Sequence, residues 1–132
     1  MYVSAPTNRY YEPSITIGKG RAHILLAVRP DFFHSGHAIH GSVYFKLLDD
    51  AAYFAASSTI TDAHLVTVSF NLYFIRPVDS GVLSSEGTLI NRSSRLVIAE
   101  ARVCTETGKL VAQGSGTFMK SDLPLDERVG YC

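Results

Sequence analysis

The chain has no surplus of charge: twelve Lys and Arg balance twelve Asp and Glu, for a formal net charge of zero. No general field therefore draws it to nucleic acid or to an anionic membrane, and any anionic ligand must be met by local basic groups. It has no apolar run of membrane-spanning length. Its first residues carry Pro6, Asn8 and Arg9 where a secretory signal would carry an apolar stretch, so a cytoplasmic protein is the expectation. Only two cysteines occur, Cys104 and Cys132, with no metal or redox spacing, and reduced thiols are expected. Internal repeats and low-complexity tracts are absent too. What is there is 132 residues, the size of one ordinary domain, with 46% hydrophobic residues. That is more apolar surface than a monomer easily leaves in water, and it predicts self-association.

The punctuation of the chain predicts one helix among strands. Residues 14–28 read as extended chain, broken by Gly18 and Gly20 and ended by Pro30. Residues 42–58 lack Gly and Pro and set Val43, Leu47, Leu48, Ala51, Phe54 and Ala55 at helical spacing, with Lys46, Asp49, Asp50, Tyr53 and Ser57 on the opposite side. The small Ala51, Ala52, Ala55 and Ala56 allow close approach to a sheet. Leu65 to Phe74 alternates, which puts Val66, Val68, Phe70, Leu72 and Phe74 on one face and Thr67, Ser69, Asn71 and Tyr73 on the other. Further strands are expected from the Pro77-Asp79-Gly81 turn to about Ile90, over 95–105 and over 109–120. Short turns between these three imply an antiparallel meander. The whole is one α+β domain over 1–132, with a core of about 14–121 and a poorly ordered tail over 122–132.

The most distinctive stretch is the loop His34-Ser-Gly-His-Ala-Ile-His40-Gly41, which opens the helix carrying Asp49 and Asp50. A glycine at a helix start offers unpaired N–H groups where the dipole favours developing negative charge. An acid two turns along the same helix is then expected to act on whatever sits at that glycine. Asp50 follows Lys46 by four residues and reads as its helix-surface partner. His34, His37 and His40 with Asp49 are imidazole and carboxylate groups of the kind zinc or iron takes, but three-residue spacing in a loop is weak support, and no metal is expected. His23 and His64 read as ordinary strand and turn residues.

Three motifs carry a family resemblance over residues 20–120: His40-Gly41 followed by Asp49, the segment Val66-Thr-Val-Ser-Phe-Asn-Leu-Tyr-Phe-Ile-Arg-Pro77 with Gly81, and Thr107-Gly-Lys-Leu-Val-Ala-Gln-Gly114. Together they resemble the hot-dog fold acyl-CoA thioesterases of the phenylacetate-pathway type. The resemblance implies one long central helix wrapped by a curved antiparallel sheet of five to six strands. It implies hydrolysis of an acyl-CoA thioester to a carboxylic acid and free coenzyme A, with no cofactor beyond the substrate's own coenzyme A. In such enzymes the acid at the place of Asp49 is general base or nucleophile, and the glycine at the place of Gly41 offers its N–H to the thioester carbonyl. Thr67 falls where a hydroxyl helps place water, and His40 resembles the loop histidine that orients the site. The family usually carries Asn where this chain has His34, which can still donate to substrate or water, and usually a second glycine where this chain has Ser42.

For substrate binding, Arg76, Arg92 and Arg95 with Ser93 and Ser94 are the candidates for the coenzyme A phosphates, since Arg binds phosphate oxygens in pairs. Tyr53 and Tyr73 are the candidates for lining an acyl pocket. The resemblance further implies a homodimer with each site at the subunit interface, and dimers that pair into tetramers. Two alternatives stay open on the same fold: a hydratase acting on enoyl or 3-hydroxyacyl thioesters, and a non-catalytic acyl-CoA-binding protein.

Overall fold

The computed structural model describes residues 2–123. After a short helix, α1 (Asn8–Tyr11), come strands β1 (Ser14–Gly18) and β2 (Arg21–Ala27), then the long helix α2 (Gly41–Ser57). Four strands follow: β3 (Leu65–Phe74), β4 (Val82–Arg92), β5 (Leu96–Cys104) and β6 (Leu110–Lys120). All six strands form one antiparallel sheet in the order β1-β2-β4-β5-β6-β3. This is the hot-dog fold, with α2 as the filling. Gly18 and Gly20 divide the first extended region into the β1–β2 hairpin, and Gly20 takes the left-handed turn conformation at φ 73°. The meander predicted after Gly81 is β4-β5-β6. Of the expected tail, Leu123 is tied back through its carbonyl, which accepts from His64 N–H at 2.8 Å. Residues 124–132 lie outside the described part.

Helix α2 buries the predicted stripe. Leu47, Leu48, Ala51 and Ala55 are all at most 1% exposed. They meet an equally buried inner sheet face that includes Leu83, Val97, Ala99, Val103 and Phe118. Each fully buried aliphatic side chain of this kind stabilises by about 1.5–3 kcal/mol relative to exposure. Small residues on β4 set how closely the helix sits. A side chain on Gly87 would place its first carbon 2.0 Å from the Ala51 carbonyl oxygen, so only glycine fits there. Ser85, fully buried beside it, donates its hydroxyl to the Leu47 carbonyl at 2.8 Å and so has its polar atom paired.

The alternation expected along β3 is corrected by a bulge. The register against β6 skips Val68 between Thr67 and Ser69. One extra residue reverses the facing of everything after it. Leu65 and Thr67, before the bulge, face the helix, and beyond it Phe70 and Leu72 do so too, whereas Val66 and Val68 are 40% and 55% exposed. Strand β3 pairs only with β6, so its other edge is open. That edge presents Val68, Tyr73, Phe74 and Ile75, all between 45% and 75% exposed.

Candidate active site

Midway along α2, the two adjacent acids have unlike surroundings. Asp49 is half-buried and accepts a hydrogen bond from the Thr67 hydroxyl at 2.9 Å. Thr67 lies two residues after the buried Leu65, ahead of the bulge, and reaches Asp49 by ordinary strand alternation. Burial pushes the Asp49 carboxyl above its usual pKa; the Thr67 hydrogen bond opposes this, the charge of Asp50 adds to it, and Lys46 opposes it. Asp50 accepts from Lys46 Nζ at 2.7 Å and from the Tyr2 hydroxyl at 2.9 Å, both on the same oxygen. The Lys46–Asp50 pair predicted from spacing is present, but it is covered by the N-terminal segment and is not a solvated surface pair.

Asp49, Asp50, Tyr53 and Phe54 of α2 and residues 64–67 line one side of a cavity of about 590 Å³. Residues of the N-terminal segment line the other side. Tyr53, four residues after Asp49, is the one predicted acyl-pocket residue found here. Its hydroxyl is pushed up to about 12, by burial first and then by the Asp49 charge, with the nearby Leu65 backbone pulling the other way. That oxygen is buried and meets no partner in hydrogen-bond geometry. The same holds for Nδ1 of His64, whose ring lies 5.7 Å from the Tyr53 ring. His64 is thus a cavity residue and not the ordinary turn residue expected from sequence.

Gly41, His40 and His34 lie elsewhere. Gly41 and Asp49 are eight residues apart on one helix, which is about 12 Å at 1.5 Å per residue. Within one chain the two therefore stand at separate levels of α2. Gly41 begins α2 under the Phe74 ring, two of whose atoms would stand 3.2 Å from any added first side-chain carbon. His40 caps the helix, its Nδ1 accepting the Ser42 N–H at 3.0 Å, and the Ser42 hydroxyl lies 2.8 Å from the same atom. Ser42 thereby gives the capping imidazole a second contact that a glycine would lack. His34 is committed within its own loop, where Nδ1 accepts the Gly36 N–H at 2.9 Å.

The predicted phosphate binders do not converge. Arg76 Nε donates to the Leu110 carbonyl near the start of α2, and Arg92 Nη1 donates to the Thr59 carbonyl just past its end. Ser93 is taken up by its own turn, donating to the Leu96 carbonyl and accepting its N–H. Arg95 and Ser94 instead share a depression with Lys120, Ser121 and Asp122, and Val66 lines both it and the Asp49 cavity. Tyr73 is 75% exposed on the open β3 edge, outside the cavity. What the sequence reading missed is the N-terminal wall, for which the clue was Tyr2, Tyr10 and Tyr11 within a short polar segment.

Residues 36–112, which hold Gly41, Asp49 and Thr67, match the family model of the thioesterase superfamily, and the chain belongs to that superfamily. Its activity class is hydrolysis of the thioesterase or esterase type. A candidate esterase of Saccharolobus solfataricus is 28% identical over 105 residues, covering 79% of this chain and 74% of that protein. Among solved structures, a conserved protein of Pseudomonas aeruginosa is 26% identical with a TM-score of 0.83, covering 89% of this chain and 94% of that one. The PaaI protein of Escherichia coli, from the phenylacetic acid degradation operon, shares the fold at a TM-score of 0.86 and 18% identity, over 94% and 90% of the two chains. No helix among the described residues is long and apolar enough to cross a membrane.

Proposed function

We propose that the protein is an acyl-CoA thioesterase working as a homodimer, with Asp49 activating water or attacking the thioester directly. The observation that carries this reading is the Asp49 carboxylate itself. It is half-buried at a cavity, raised in pKa by that burial, and oriented by Thr67. A raised pKa makes a carboxylate a better proton acceptor near neutral pH than one in water. The helix start at Gly41 supplies the complementary part, an N–H donor for the carbonyl oxygen as it becomes an oxyanion.

Because donor and acid are about 12 Å apart along one helix, a complete site takes Gly41 from one chain and Asp49 from its partner. The open, apolar edge of β3 is the surface by which a second copy would extend the sheet. Arg95, in the depression beside the cavity, is the basic group best placed for the coenzyme A phosphates, since Lys120 there pairs with Asp62 at 3.3 Å. Arg95→Ala should raise KM for coenzyme A thioesters with kcat little changed, and leave short thioesters of N-acetylcysteamine, which lack phosphate, unaffected.

The direct test is thiol release from short, medium, long and aryl acyl-CoAs, with wild type and Asp49→Ala side by side. Saturable release that vanishes in the variant supports the reading. Binding without release would make the protein a non-catalytic acyl-CoA binder, and hydration of enoyl-CoA without release would make it a hydratase.

Thr67→Val gives a second, pH-resolved check. Asp49 must be ionised to act, so the rate rises as pH passes through its pKa. The groups around that carboxylate are Lys46, Asp50 and Tyr53 on its own helix and Thr67 on β3. Removing the hydroxyl deletes an interaction that lowers the pKa, so the acidic limb of the kcat/KM profile should move to higher pH. An unmoved limb would remove Asp49 as the titrating base.

A further inference from the structure

Residues 2–8 join no strand ladder of the sheet. Their backbone folds on itself, Ala5 N–H donating to the Tyr2 carbonyl and Asn8 N–H to that of Ala5, and Asn8 Nδ2 closes the same turn on Tyr2 at 2.7 Å. A segment of this kind is placed by its end contacts. At the far end, Tyr10 and Tyr11 pack on Phe32, and the Tyr10 hydroxyl donates to the Asp31 carbonyl at 2.7 Å. The Arg29 guanidinium sits over both Tyr10 and Phe32.

At the near end stands a clasp on α2. Tyr2 is only 5% exposed, its ring edge meets Phe54 at 5.1 Å, and its hydroxyl donates to Asp50. Lys46 lies over the Tyr2 and Tyr11 rings while pairing with Asp50. Burial and the Asp50 charge keep the Tyr2 phenol protonated and able to donate. The clasp therefore fixes where residues 4–8 stand across the cavity from Asp49, Leu65 and Val66. Ala5 and Pro6 are apolar lining groups of the segment, beside Ser4, Thr7 and Asn8, and none of its lining side chains is charged.

Resting on the thioesterase reading, we infer that residues 2–8 are the wall of the acyl end of the Asp49 cavity and that the Tyr2–Asp50 clasp sets the largest acyl group admitted. The smallest lining side chain of the segment is Ala5, so a larger one there takes space from the acyl group directly. Loosening the clasp lets the wall retreat.

The test uses the full chain carrying Ala5→Phe or Tyr2→Phe, assayed by thiol release on acetyl-, hexanoyl- and lauroyl-CoA. The same acyl groups are followed in binding by calorimetry, as thioether analogues that cannot be hydrolysed. Ala5→Phe should lower kcat/KM for lauroyl-CoA at least about tenfold more than for acetyl-CoA, the scale of steric discrimination in an apolar pocket. Tyr2→Phe, which keeps the ring and removes only the donor, should shift the lauroyl-to-acetyl ratio the opposite way, by about fivefold for loss of one charge-assisted hydrogen bond. An equal factor on every acyl group for Ala5→Phe overturns the wall, and an unchanged ratio for Tyr2→Phe overturns the clasp. If no acyl-CoA releases thiol, the thioesterase reading fails; length-dependent binding changes in the variants would then uphold the wall alone.

Discussion

Asp49→Ala should lower thiol release by at least about a hundredfold, the scale at which a general base contributes, with fold and assembly intact. Asp50→Ala should leave turnover within the same order of magnitude, because that carboxylate is already occupied by Lys46 and Tyr2. An equal loss in both variants would reverse the assignment. Stability should move against activity in Asp49→Asn. A carboxyl whose folded pKa is raised binds its proton more tightly when folded than when unfolded. The folded state therefore gains stability as pH falls from above the folded pKa toward the unfolded one, and is penalised at neutral pH, where the buried carboxylate is charged. An amide keeps the acceptor for Thr67 and removes the charge. Asp49→Asn should thus melt higher than wild type at pH 7, and the difference should shrink as the pH is lowered toward the ordinary carboxylate range. A thermal melt at the two pH values reads this directly, and equal differences at both would show that Asp49 is not desolvated in the fold.

Gly87→Ala should cost more stability than any single change at the rim of the cavity. Its new methyl would stand 2.0 Å from the Ala51 carbonyl oxygen and 2.8 Å from the Ala52 nitrogen, both backbone atoms in the middle of α2. No side-chain rotation relieves that, so the helix must lift from β4. Ser85 loses its bond to the Leu47 carbonyl as it does. Overpacking a close-packed core costs about 1–3 kcal/mol and at times more, and a backbone-to-backbone clash belongs at the upper end. The melting temperature should fall by roughly 10 °C in a domain of this size. Since the displaced segment carries Asp49, activity should fall as well. A melting temperature within about 2 °C of wild type, on the same scale, would mean that α2 does not sit as tightly on β4 as these distances require.

The parts of the fold that were legible are those written in local pattern. The absence of Gly and Pro over 42–58 located α2 to within one residue at each end. The ten-residue run Leu65–Phe74 gave β3 its bounds, and the short turns between the last three strands gave the β4-β5-β6 meander. What was not legible is non-local. Nothing in the β3 sequence announces a bulge, because Val66 and Val68 continue a perfect apolar alternation that the structure breaks only by skipping Val68 against β6. The same bulge puts Phe70 and Leu72 on the helix side with Thr67, where strict alternation would set them on the opposite face. Pairing of β3 with β6, three strands further along the chain, rests on helix placement and not on turn chemistry. The N-terminal wall carries neither helical nor strand period, since its position comes from Tyr2, Tyr10 and Tyr11 reaching distant partners. The arginines failed for a simpler reason: Arg76 and Arg92 each had a backbone carbonyl within reach at opposite ends of α2.

The eight-residue interval between Gly41 and Asp49 also has a genetic corollary. In the paired arrangement proposed, each thioester draws its donor from one copy and its acid from the other. A chain defective only at the helix start and a chain defective only at Asp49 each form inactive pairs with themselves, yet together they assemble one intact site and one doubly broken one. In that arrangement damage would be inherited at the level of the pair, and two alleles that fail separately would rescue one another in the same cell.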